Sequence, residues 1–229
     1  MSLLSEQDRQ TVKAHLGAIT HPVTLLFFTQ AIAAPETALI TRQILDEVAD
    51  LSELISVEEV NFVLERERAA TFGIDGVPAV VLLRDGEDAR LRFLGAPAGY
   101  EFMSLVEAVI LAGTADSGLS PESRTLMAEH VVGPMDIQVF VTPTCPHCPR
   151  AVALAYRMAV ESPHVRATCV EATEFMDLSR RFNVTGVPKT VINGTIELMG
   201  AMPEPVFVRG ALGLPEDAAP PDAPPAATS

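Results

Sequence analysis

Cysteine is scarce in this sequence. Three among 229 residues, an odd number, exclude the paired disulfide framework of a small secreted domain. They point instead to a reducing, cytoplasmic setting, where a Cys-x-x-Cys pair is more often catalytic or metal-binding than structural. Cations are scarce too: 16 Lys and Arg against 30 Asp and Glu give a net charge of −14. A surface of that sign repels nucleic acid and anionic membranes, so neither is expected as a partner. No apolar run approaches the roughly 18–20 residues that cross a bilayer. The N-terminal stretch MSLLSEQDRQTVKAHLGAI carries charges throughout and has no apolar core of a secretory signal. What remains, 48% hydrophobic and 20% charged, is an ordinary globular composition, long enough for one large or two small domains.

The chain repeats itself. FGIDGVPAVVL at 72–82 and FNVTGVPKTVI at 182–192 share Phe, Gly, Val, Pro and a later Val at matching places. Upstream, LLFFTQAIAAP at 25–35 can be laid on VFVTPTCPHCP at 139–149, and downstream RFLGAP at 92–97 resembles IELMGAM at 196–202. Three blocks in the same order, about 110 residues apart, indicate two copies of one fold.

Each copy alternates strands and helices, the pattern of an α/β architecture. In the first, Ser5-Glu-Gln-Asp8 is a capping box, Val23–Thr29 a buried strand and 35–50 a helix. A strand over 77–83 turns at Asp85-Gly86 into a second over 89–94, and 100–111 closes the copy as a helix. In the second, Ser120-Pro121 opens a helix, 137–141 is a strand and 146–160 a long helix. A strand over 165–171 and a helix through Phe182 follow, then a hairpin of 189–192 with 195–198 across Asn193-Gly194. The expected domains are 1–117, 118–215 and a disordered tail over 216–229, nine of whose fourteen residues are Ala or Pro.

The chemistry concentrates in Cys145-Pro146-His147-Cys148, between an apolar strand and a helix. At a helix N-terminus, free N–H groups and the macrodipole stabilise a thiolate, the nucleophile of disulfide exchange. Cys148, one turn on, is placed to attack a mixed disulfide formed by Cys145. Pro146 suits a first helical turn, and His147, when protonated, adds positive charge. A metal or Fe–S site and an inert disulfide remain as alternatives, although no second Cys-x-x-Cys or His-x-x-x-His supplies further ligands. Pro188 enters a central strand, which favours a cis bond after Val187 and would aim the Val187 backbone at an extended substrate. Gly186, Val187 and Pro188 are therefore the candidate substrate-binding turn. Cys169, in a strand, reads as buried packing. On the alignment above, Ala31 and Ala34 stand at the places of Cys145 and Cys148, so the first copy carries no thiol.

Two folds of this kind, with Gly95-Ala-Pro-Ala-Gly-Tyr-Glu-Phe102, Val141-Thr-Pro-Thr-Cys-Pro-His-Cys-Pro149 and Gly186-Val-Pro-Lys-Thr190, resemble the glutaredoxin-like protein disulfide oxidoreductase family. The resemblance implies two tandem thioredoxin folds, each a mixed central sheet flanked by helices. It also implies a cytoplasmic thiol–disulfide oxidoreductase with an attacking Cys145, a resolving Cys148 and a substrate-binding Pro188. No cofactor or metal is implied. That family typically has a redox pair in each half, whereas this chain has one. A cysteine-free first fold before an active second one also resembles the N-terminal module of the alkyl hydroperoxide reductase flavoprotein subunit. That likeness implies an electron relay between a flavoprotein reductase and a peroxiredoxin. Protein disulfides are the expected substrates, and a non-catalytic peptide-binding or Fe–S-binding module is the competing class.

Overall fold

A computed structural model describes residues 3–32 and 34–215. The expected tail at 216–229 lies outside the described residues. In chain order the elements are α1 (Glu6–Leu16), β1 (Val23–Thr29), α2 (Glu36–Ala49), β2 (Ile55–Asn61), α3 (Arg66–Thr71), β3 (Ala79–Arg84), β4 (Glu87–Leu94) and α4 (Glu101–Thr114). They continue as α5 (Pro121–His130), β5 (Met135–Val141), α6 (Cys148–Glu161), β6 (Val165–Glu171), α7 (Met176–Arg181), β7 (Lys189–Ile192), β8 (Ile196–Met199) and α8 (Glu204–Ala211). The two series match one for one.

The capping box forms: Ser5 accepts from the Asp8 N–H and its hydroxyl donates to the Asp8 carboxylate. Both two-residue hairpin turns have positive φ at each residue, 51° and 83° at Asp85-Gly86 and 50° and 69° at Asn193-Gly194, as type I′ turns require. Two elements carry too weak a pattern to be read from sequence. In β2 the adjacent Glu58 and Glu59 are both exposed, which blurs the alternation of an edge strand. The other, α8, has eight residues.

All eight strands form one sheet in the order β2-β1-β3-β4-β6-β5-β7-β8. Within each half the first strand runs parallel to the second and antiparallel to the third, which forms a hairpin with the fourth. The halves join through parallel pairing of β4 with β6, Leu91 to Ala167 through Leu94 to Val170. One large core runs across both halves on one face, from Val12 and Leu45 to Phe207 and Val208. Two smaller clusters lie on the other face, one including Phe28 and Ile74, the other Phe140 and Val191.

The pairing corrects the repeat alignment. Phe28 lies opposite Ala79 and Phe140 opposite Lys189, the residues that follow the two matched prolines. Phe28 therefore corresponds to Phe140, and the start of α2 at Glu36 to the start of α6 at Cys148. The shift is two residues: Glu36, not Ala34, takes the place of Cys148. By counting, Ala33 takes the place of Cys145. The physical reason is that Leu25–Phe28 and Val139–Val141 are wholly apolar runs that slide over each other without a mismatch; only the partner strands set the register.

Candidate functional site

β5 delivers the chain to a turn over Thr142–His147, and α6 begins at Cys148 with His147 as its N-cap. The helix thus starts two residues later than the sequence suggests. Pro149, rather than Pro146, occupies its first turn, where a missing N–H costs nothing. Cys145 and Cys148 form a disulfide with Cα atoms 5.5 Å apart. That bond holds the Cys145 sulfur at the first residue of α6, so the helix terminus still acts on it. Cys145 is 8% exposed and Cys148 fully buried. Pro146 and His147 project to the surface between them.

The peptide bonds Val77-Pro78 and Val187-Pro188 are both cis. Pro188 is buried, Gly186 exposed and Val187 half-buried, packed against the core cluster that contains both linked cysteines. The Pro188 carbonyl accepts from the Gly200 N–H at 2.8 Å. Lys189, 4% exposed, donates to the Phe182 carbonyl at 2.6 Å and pairs with Glu197, which ties the turn's two ends together.

The first half reaches the redox turn directly. The Tyr100 N–H donates to the Pro143 carbonyl at 2.9 Å. Gly99, at φ 61°, lies so close that a Cβ there would stand 2.2 Å from the same oxygen. Only glycine fits that approach.

The next residue, Glu101, is one that sequence reasoning passed over. It is fully buried, and burial raises its carboxyl from 4.5 to about 7. Ser104 donates to its Oε2 at 2.5 Å and the Cys169 thiol at 3.8 Å, while Oε1 is buried with no partner. A glutamate in the first turn of a helix looks like an ordinary dipole-compensating residue, so the sequence carries no sign of burial. Cys169 is buried as expected, and burial pushes its thiol well above the usual range.

A thioredoxin-domain family profile matches residues 135–213. The NTD_N/C domain of alkyl hydroperoxide reductase AhpF from Enterococcus faecalis superposes with a TM-score of 0.84 at 30% identity, covering 91% of this chain and 99% of that one. The chain belongs to this thioredoxin-fold family. A protein disulfide oxidoreductase from Aeropyrum pernix superposes with a TM-score of 0.80 at 27% identity, covering 91% and 92%. The alkyl hydroperoxide reductase AhpF of Escherichia coli is 28% identical over 194 residues, 84% of this chain and 34% of that protein. The chain therefore spans about a third of the length of the curated relatives it matches. Its class is that of thioredoxin-fold oxidoreductases with a Cys-x-x-Cys pair, built as two tandem thioredoxin folds. Among the described residues, no helix is long and apolar enough to cross a membrane.

Proposed function

We propose that the chain exchanges electrons between the Cys145/Cys148 dithiol and disulfides of protein substrates. The observation that carries this reading is the disulfide itself: its outer sulfur is at the surface and its inner one belongs to the first residue of α6. In the reduced protein the Cys145 thiolate attacks a substrate disulfide, forming a mixed disulfide and releasing one substrate thiolate. Cys148 then attacks the Cys145 sulfur, closes the intramolecular bond and releases the second thiolate. The substrate gains two electrons and the pair loses two. Pro146 and His147 shape the approach to Cys145. The Gly186-Val187-Pro188 turn offers backbone groups to an extended substrate. Glu101, buried beside the redox turn, takes and returns a proton as the pair cycles.

We read residues 1–117 as a supporting thioredoxin-like unit and 118–215 as the active one. The relatives' names support a peroxiredoxin as electron acceptor and a flavoprotein as electron donor, in a reducing cytoplasmic setting where the dithiol can be regenerated. The test is turnover of insulin disulfides with a dithiol reductant. Cys145→Ser abolishes it, and Cys148→Ser accumulates a mixed disulfide through Cys145. Full turnover by Cys148→Ser removes the resolving role. A binding module without redox chemistry would show no turnover in the unaltered chain.

A further inference from the structure

The first half's counterpart of the redox cleft is filled by the second half. Thr37 in α2 matches Pro149 in α6, one residue past Cys148. Gly95 and Ala96 match Gly200 and Ala201: Gly95 donates to the Pro78 carbonyl at 2.9 Å as Gly200 donates to that of Pro188 at 2.8 Å. Into this place the β6–α7 connection inserts Glu174 and Phe175. The Glu174 carboxylate accepts from the Ala96 N–H at 2.7 Å through one oxygen and from the Thr37 hydroxyl through the other. The Phe175 ring lies on Gly76, its Cε1 2.9 Å from where a Cβ would be. One carboxylate thus spans the helix start and the N–H that follows the hairpin, with an aromatic ring against the turn before the cis proline.

The second half presents the same frame. Among the described residues, no group of the chain accepts from the Ala201 N–H. Gly186, the match of Gly76, has only the Met199 methyl at 3.9 Å from its would-be Cβ. His147 and Arg150, where the first half has Pro35 and Ala38, are exposed, and no acidic side chain pairs with them. They place positive charge on the rim of a cleft in a protein whose net charge is −14.

We propose that the redox cleft takes a substrate segment bearing a carboxylate side chain near its disulfide, received by the Ala201 N–H. A large apolar or aromatic residue after the carboxylate lies against Gly186. The segment Glu174-Phe175 is the internal likeness of that ligand. This specificity rests on the oxidoreductase reading and refines it.

The test uses the intact chain and disulfide-linked heptapeptide dimers in which Glu, Gln or Lys, followed by Phe, stands one or two residues from the cysteine. The best Glu peptide should show a KM about fivefold below that of its Gln counterpart at unchanged kcat, the scale of one charge-assisted hydrogen bond, with Lys weakest. Arg150→Glu should erase the preference, and Pro149→Thr, which installs the hydroxyl that Thr37 supplies in the first half, should widen it. A direct readout covers the case of a variant that misfolds. In the oxidised, unaltered protein, the Ala201 amide resonance should shift when titrated with the Glu peptide carrying serine for cysteine, and stay fixed with the Gln peptide. Equal KM values across the peptides, or an unmoved Ala201 amide, overturn the proposal while insulin turnover persists. Loss of turnover on insulin and on every peptide would overturn the oxidoreductase reading on which it rests.

Discussion

Replacing Glu101 with Gln should change how stability depends on pH, and the size of the change follows from the site. Burial is the largest cause of the raised carboxyl, and the nearby Glu171 carboxylate adds to it; the Ser104 and Cys169 donors oppose it. A rise from 4.5 to about 7 corresponds to about 3 kcal/mol. Below pH 4.5 the group is protonated in folded and unfolded chains alike, so it contributes no pH dependence. As pH rises past 4.5 the unfolded chain ionises first, which favours unfolding. The loss accumulates until about pH 7, where the folded carboxyl ionises too, and then stays constant. Gln removes this titration. Guanidinium unfolding of the oxidised protein, measured from pH 4 to 8.5, should show Glu101→Gln gaining about 3 kcal/mol relative to the unaltered chain across that window. The gain is read as the difference between the two curves, so other titrating groups cancel. Parallel curves would refute the argument that Glu101 is held neutral by burial.

Gly99→Ala should lower stability by about 2 kcal/mol or more and reduce insulin turnover, because the new Cβ meets the Pro143 carbonyl. Gly86→Ala, at a turn with φ 83° and nothing within 4 Å, should cost only about 1–2 kcal/mol and leave turnover intact. Residues 118–215 expressed alone should fail to unfold cooperatively, since the cut strips β6 of its pairing with β4 and opens the shared core. A sharp melt within a few degrees of the full chain would show that each half is stable alone.

Much of the fold could be read because its signals are local. The apolar run of β1, the capping residues Ser5 and Ser120 and the turn pairs at 85–86 and 193–194 each fix an element through neighbours in the chain. The duplicated Gly-Val-Pro fixed the relation between the halves. What escaped depends on contacts distant in sequence. The register of β1 against β5 comes from β3 and β7, strands far along the chain. The joining of two half-sheets through β4 and β6 leaves no mark in either strand, because the pairing is made by backbone groups that every residue carries. In the candidate site the cysteines and Pro188 announced themselves by spacing. Glu101 did not, because its burial is produced by packing at the seam between the halves. The filling of the first cleft by Glu174 and Phe175 was equally hidden, since in sequence they are simply a polar and an apolar residue before a short helix.

The central claim is that Cys145 and Cys148 form a reversible two-electron couple. The most direct test is redox equilibration of the intact protein against a graded dithiol/disulfide buffer, with the state of both cysteines read by mass after alkylation. The account predicts one transition in which both thiols appear together, following a two-electron Nernst curve of about 30 mV per tenfold change in ratio, with Cys169 unlabelled in the folded protein throughout. A disulfide that stays closed over the whole range, or thiols that appear one at a time, would contradict it.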